Sequence, residues 1–292
     1  MRLHGVLLAL TACAATAPRP PPTAVLWVGG DVHLGQRGGA ALDGLQLDGP
    51  LVINLEGPIA LAPAPSSAEH LVNPPDTAAI LARARVLAAG VDNNHALDEG
   101  PEGLERTRAA LLAQRLVPLG LSVLTLSGVP VTLLQVDLSK GAPKDLESRL
   151  TWAADAPGVA IVLFHVLAPP LYTPDPPLKA AVALAAEVGV DAVLVHGSHA
   201  LGAIERKGST LVAWGLGNVA FDCECSTEDE GLLVRLEVSG TRVEQVTAVP
   251  IRAGLQGSAA RRATPAEASL DLDLLESLGS KPVERGATQA RY

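Results

Sequence analysis

A chain of 292 residues is long enough for one large domain or two small ones, and ample for a packed core. Hydrophobic residues make up 48% but aromatic ones only 2%, so the core has to be aliphatic, built from Leu, Val and Ala. A formal net charge of −9 without any cluster of Lys or Arg argues against nucleic acid as a partner. It also disfavours a polyanionic substrate unless cations offset the charge.

The chain opens on Met1-Arg2, then the short apolar run Val6-Leu7-Leu8-Ala9-Leu10, then small residues before Cys13. That is the order of a secretory signal. Leu10-Thr11-Ala12-Cys13 resembles a bacterial lipobox, in which the cysteine becomes the lipidated first residue of the mature chain. An ordinary cleaved signal ending at Ala12-Cys13-Ala14 and a chance apolar start are the other readings, and the lipobox is favoured. The run falls far short of the ~20 residues that span a bilayer. The expectation is an exported protein, held at the membrane by a lipid on Cys13. Residues 14–23 are proline-rich and read as a stiff, extended tether.

From Ala24 the pattern is that of a folded domain. Val25-Leu26-Trp27-Val28 and Leu51-Val52-Ile53-Asn54-Leu55 are buried strands, and Leu61 to Pro75 is loop. Asp76 to Arg85 is helical, Val86 to Val91 a strand, and Pro101 to Arg115 an amphipathic helix. Short strands occupy Val117 to Val136, and Ala160 to Phe164 is a further buried strand. An Ala-rich helix, Leu178 to Val188, precedes a strand at Ala192 to Val195. Ala203 to Ile251 alternates in β fashion, with a hairpin signal at Ser239-Gly240. Thr264-Pro265-Ala266-Glu267 is a capping-box start for a last helix through Leu278. Residues 280–292 are expected to be disordered. Strands alternating with helices make the domain, residues 24–279, α/β, with no internal repeat. Cys223 and Cys225 stand one residue apart and read as free or weakly paired loop thiols, rather than a strained disulfide or a soft metal site.

The polar groups gather where apolar strands end. The first strand runs into Gly30-Asp31-Val32-His33, the second into Glu56, and the third into Asn93-Asn94-His95 with Asp98 beyond. The strand at 160–164 ends in His165, and the next in His196-Gly197-Ser198-His199. Carboxyl ends of strands in α/β sheets line one rim, where sites are built. Imidazoles suit zinc and iron, carboxylate and carbonyl oxygens suit manganese, and a bridging carboxylate suits a pair of ions. Taken singly, each residue has a bland reading as turn former, helix cap or hydrogen-bonded strand-end histidine. Five strand ends in order carry what no one of them does. His4 and His70 keep the bland reading.

The ordered motifs GDVHLG from Gly30, NLEGPI from Asn54, NNHALDEG from Asn93, the strand-end His165, DAVLVHGSH from Asp191 and WGLGNVAFD from Trp214 are similar to those of the CapA (poly-γ-glutamate capsule) family, a branch of the calcineurin-like metallophosphoesterase superfamily. The resemblance implies a metallophosphoesterase-like four-layer sandwich of two mixed β-sheets flanked by helices. It implies two divalent ions (Mn, Fe or Zn), the first held by Asp31, His33 and His199, the second by Asn94, His165 and His196, with Glu56 bridging. His95 would protonate a leaving group or bind a phosphoryl oxygen, and Asp98 would orient it; the nucleophile would be a metal-bound hydroxide, so no Ser or Cys attack is needed. Gly215, Gly217 and Asn218 resemble a family turn and would shape the rim. The chain departs from the usual motifs at Val166-Leu167 and at Gly197-Ser198, which alters the substrate rim and leaves the ligands in place. Two main readings of function follow, with a purely structural lipoprotein holding a vacant site as a weaker third. One is an envelope hydrolase acting on a phosphoester or a related acyl or amide bond, linked to capsule synthesis or export and its machinery. The other is a non-catalytic lipoprotein that uses the metal site to bind or anchor an anionic polymer.

Overall fold

The computed structural model describes residues 22–35, 41–62, 64–167, 172–223, 227–255 and 258–292. The signal segment, Cys13, Cys225 and the tether as far as Pro21 lie outside them. The described chain opens with β1 (Thr23–His33), β2 (Leu51–Leu55), α1 (Thr77–Arg83), β3 (Val86–Gly90), α2 (Gly100–Ala113), β4 (Val117–Leu119), β5 (Leu121–Leu126) and β6 (Val129–Asp137). It continues through α3 (Leu146–Asp155), β7 (Val159–His165), α4 (Pro176–Glu187), β8 (Ala192–His196), β9 (Ile204–Lys207), β10 (Thr210–Ala213) and β11 (Asn218–Phe221). It closes with β12 (Glu230–Ser239), β13 (Arg242–Arg252), β14 (Arg261–Arg262), α5 (Pro265–Ser277), β15 (Glu284–Arg285) and β16 (Ala290–Arg291).

These strands form two mixed sheets. One has ten strands, in the order β15-β16-β13-β12-β1-β2-β3-β4, with β11 on β1 and β14 on β13. The other has six, in the order β5-β6-β7-β8-β10-β9. β1 to β4 run parallel, as do β6, β7, β8 and β10, so each sheet gathers several carboxyl ends on one rim.

The central strands read as unbroken apolar runs because both of their faces are buried. Alternate residues go to opposite sides. Leu26 and Val28 join Leu133, Ile161, Leu163 and Leu194 in the layer between the sheets. Trp27, Leu51 and Ile53 face α1 and α2. Val162 and Phe164 face α3 and α4. The result is the expected four layers: helices, sheet, sheet, helices.

The cap of α5 forms as read, with Thr264 accepting from Glu267 N and the Glu267 carboxylate accepting from Thr264 N. Three features differ from expectation. A helix, α3, occupies a stretch with no predicted element; its buried residues are Leu146, Leu150 and Ala153. Residues 280–292 are ordered rather than disordered, because β16 pairs with β13, Ala290 is buried, and Tyr292 N donates to Val246 O at 2.9 Å. Cys223 is disulfide-bonded rather than a loop thiol, and it is buried beside Leu71 and Phe221.

Candidate metal centre

Asp31 is set by a break in β1. Its register slips between Val28 and Asp31 against β2, and again between Asp31 and Val32 against β11. Such a bulge re-aims a side chain. The strand can pass the turn before β11 only because residue 30 is glycine: a Cβ there would lie 1.9 Å from Gly217 O. The GDVHLG and WGLGN motifs are therefore one structural unit, with Asp31 opposite Asn218.

The Asp31 carboxylate is fully buried. Oδ1 accepts from Asn54 Nδ2 at 2.9 Å and Oδ2 from Gly197 N at 2.9 Å, with His199 Nδ1 at 3.4 Å. Glu56 follows β2, its backbone N–H bonded to Val32 O at 2.8 Å. Asn73 braces this loop, donating to Glu56 O and Gly57 O while accepting from Leu34 N. Burial, and then the nearby Asp31 charge, push the Glu56 carboxyl well above its ordinary range.

His199 holds a left-handed backbone, φ 49°, which is strained for a side chain of this size. Its Nδ1–H donates to Asn218 Oδ1 at 2.9 Å, and Asn218 is fixed by donating to Glu228 O. That leaves His199 Nε2 with a lone pair. Phe221 packs edge-on to the ring, 4.9 Å away, and also touches His33.

The structure brings donor atoms of Asp31, Glu56 and His199 within 4.8 Å of one another. The other expected ligands surround that core in different states. His33 donates from Nδ1 to Glu56 O at 3.3 Å, and its Nε2 lies 3.1 Å from Ser66 Oγ rather than in the three-residue group. His165 accepts at Nδ1 from Asn54 Nδ2 (3.3 Å), and its Nε2 meets Asn94 Oδ1 at 2.6 Å, so these two ligand candidates face each other. His196 donates from Nε2 to Gly29 O at 2.9 Å, and its buried Nδ1 has no hydrogen-bond partner among the described residues.

Burial holds His33 and His165 down to about 4 and lowers His196 as well. Neutral imidazoles, crowded buried carboxylates and an orphaned ring nitrogen are what divalent cations require of their ligands. A buried lone pair without a partner is otherwise costly. The residues present therefore fit such ions. Beside them His95 Nδ1 donates to Asp98 Oδ2 at 2.7 Å.

Several participants carry no sequence signal as ligands: Ser66, Asn73 and Asn54. Gln135 has one, a polar residue inside the apolar run Val131–Val136, because a buried polar group has to find a partner.

Fold and site together define a protein of the metallophosphoesterase-fold class. The chain matches the family described as Bacterial capsule synthesis protein PGA_cap over residues 39–125 and 130–223, and it belongs to that family. The match takes in Glu56, Asn94, His95, Asp98, His165, His196 and His199, while Asp31 and His33 precede it. No curated protein matches the chain. Among the solved structures that share the fold are two of low sequence identity. A hypothetical protein from Thermus thermophilus is 15% identical, with a TM-score of 0.55 over 78% of this chain and 99% of its own. A novel phosphatase from Mycoplasma pneumoniae is 14% identical, with a TM-score of 0.53 over 80% of this chain and 95% of its own.

Proposed function

We propose that the chain is a metal-dependent hydrolase of the cell envelope, working in poly-γ-glutamate capsule synthesis or export on a phosphoester or a related acyl or amide bond. The observation that carries this reading is the convergence of Asp31, Glu56 and His199 within 4.8 Å of one another. Asp31, His33 and His199 would hold one divalent ion, Asn94, His165 and His196 a second, and Glu56 both. Bound ions of this kind polarise a phosphoryl or acyl oxygen and lower the pKa of water.

The chain's own groups do the rest. Asp98 accepts the Nδ1–H of His95 and so fixes the ring, and a proton carried on Nε2 would pass to a leaving group or be donated to a phosphoryl oxygen. A lipid on Cys13 would tether the domain to the membrane, facing the periplasm or the exterior, beside the capsule machinery. A Cys13→Ala variant should then leave the membrane fraction, and unchanged partitioning would refute the anchor.

Elemental analysis of the purified chain should find close to two transition ions per molecule, lost in Glu56→Ala and His196→Ala. A folded wild-type protein that takes up no metal would overturn the reading. With metal bound, turnover of generic phosphoesters or of γ-glutamyl polymer that falls sharply in His95→Ala supports the hydrolase. Polymer binding without turnover would make the protein an anchor instead.

A further inference from the structure

We infer that Asn54 is a positioning residue of the cation site: held in one orientation by Gln135 and Asn93, its amide clamps the Asp31 and Glu56 carboxylates at a set separation. This rests on the reading of the site as a metal centre.

The orientation of each carboxamide follows from groups that have no choice of role. Asp92 N can only donate, and it donates to Gln135 Oε1 at 2.9 Å. Gln135 therefore turns Nε2 toward Asn54, and Nε2 donates to Asn54 Oδ1 at 2.9 Å. Asn93 is fixed in the same way from both ends. Its Oδ1 accepts from His95 N at 3.2 Å, and its Nδ2 donates to Leu55 O at 2.8 Å. That same Nδ2 lies 3.2 Å from Asn54 Oδ1. With two donors on its oxygen, Asn54 has to turn Nδ2 toward the site. There it donates to Asp31 Oδ1 at 2.9 Å, with Glu56 Oε1 at 3.4 Å and His165 Nδ1 at 3.3 Å.

One donor group thus faces both carboxylates, and it is the only amide in the network that does so among the described residues. The chain of bonds also joins the layers. Gln135 lies on β6 of the six-stranded sheet and Asn54 on β2 of the ten-stranded one. The crossing is open because residue 90 on β3 has no side chain: a Cβ there would lie 2.5 Å from Gln135 Nε2. Asn54 and Gln135 are fully buried, so no water competes for these bonds. The distance between the two sheets at the rim is in this way tied to the distance between the carboxylates.

The test is calorimetric titration of Zn²⁺ into the metal-free full chain, alongside urea unfolding of each variant. Gln135→Glu keeps shape and the acceptor for Asp92 N but sets a repelling acceptor against Asn54 Oδ1, leaving Asn93 as the one group that still holds the Asn54 amide in place. Zn²⁺ affinity should fall about 10–100-fold, the usual effect of losing an outer partner of a ligand. Should that variant fail to fold, Asn54→Ser, which removes the clamp, should show a similar fall, and Gln135→Met, which leaves Asn93 in place, a smaller one. Undiminished Zn²⁺ affinity in the folded variants, with only the urea midpoint moved, makes Asn54 a packing residue and overturns this inference alone. A wild-type chain that binds no Zn²⁺ overturns it together with the metal reading.

Discussion

Asp98 Oδ2 accepts two hydrogen bonds, one from His95 Nδ1 at 2.7 Å and one from Leu71 N at 2.7 Å. The second bond pins the carboxylate to the loop that follows Glu56, so the imidazole is held against a fixed wall. If His95 is the proton donor, His95→Ala should lower kcat by about 10²–10⁴-fold, the range of general acid–base catalysis. Asp98→Asn keeps the shape without the charge and should cost roughly 10-fold. Metal content should stay that of wild type in both. Steady-state kinetics on a generic phosphoester, paired with elemental analysis, checks this; lost metal in either variant would place these residues among the ligands.

Stability and metal binding should pull in opposite directions at Glu56. Burying its carboxylate beside Asp31 is unfavourable in the metal-free chain, which is why its proton is held so firmly. Gln has the shape of that protonated, neutral form, so the metal-free Glu56→Gln variant should unfold at a urea concentration no lower than wild type. Saturating metal, at 100 times its dissociation constant, should stabilise wild type by about 2.7 kcal/mol. The variant should lose most of that response. A variant markedly weaker than wild type without metal would show that the carboxylate does structural service instead.

Much of this arrangement was legible in the sequence because apolar strands announce themselves and the polar residues that stop them stand out. β2 occupies Leu51–Leu55 as read, since both of its faces are buried. The Thr264–Glu267 cap was legible because its chemistry is local. What escaped depends on distant partners. α3 buries only Leu146, Leu150 and Ala153 along ten residues, too thin a stripe to show. The closing strands are two residues each and exist because β13 offers an edge to Arg291 and Ala290. Asn54 could be seen as part of a motif, but its work depends on Gln135, 81 residues away on the other sheet.

The pH dependence of the metal-free fold follows from the buried imidazoles. His33 and His165 titrate at about 4 when folded, against 6.5 when unfolded, and His196 is shifted the same way. Between those values the unfolded chain binds more protons, so stability falls as pH falls. Glu56 opposes this: its raised carboxyl binds a proton above 4.5 in the folded state, a contribution lost as pH rises. The three imidazoles should pull the urea midpoint of the metal-free protein down from pH 6.5 to 4.5, against Glu56 and the other carboxyls that burial raises, Asp92, Asp191, Glu230 and Asp271. Glu56→Gln should steepen that drop, and a midpoint that rises on acidification would contradict the balance. Metal occupancy should decline over the same window, because protons compete for the same donors.

Gly197 and Gly240 separate backbone strain from steric overlap at the rim. Both are left-handed, at φ 84° and 58°, so an alanine at either should cost about 1–2 kcal/mol in conformation. Around Gly240 there is no atom within 4 Å of an added Cβ among the described residues, and Gly240→Ala should cost no more than that. At Gly197 the Cβ would lie 2.0 Å from Val166 O and 2.7 Å from His165 Cε1. Relief requires moving either His165 or the Gly197 peptide whose N–H holds Asp31 Oδ2 at 2.9 Å. Gly197→Ala should therefore exceed Gly240→Ala in its cost by urea unfolding and, unlike it, reduce Zn²⁺ uptake. Equal costs with full uptake in both would mean that the turn between β8 and His199 yields freely, and that the rim is set by Asp31 and its other partners alone.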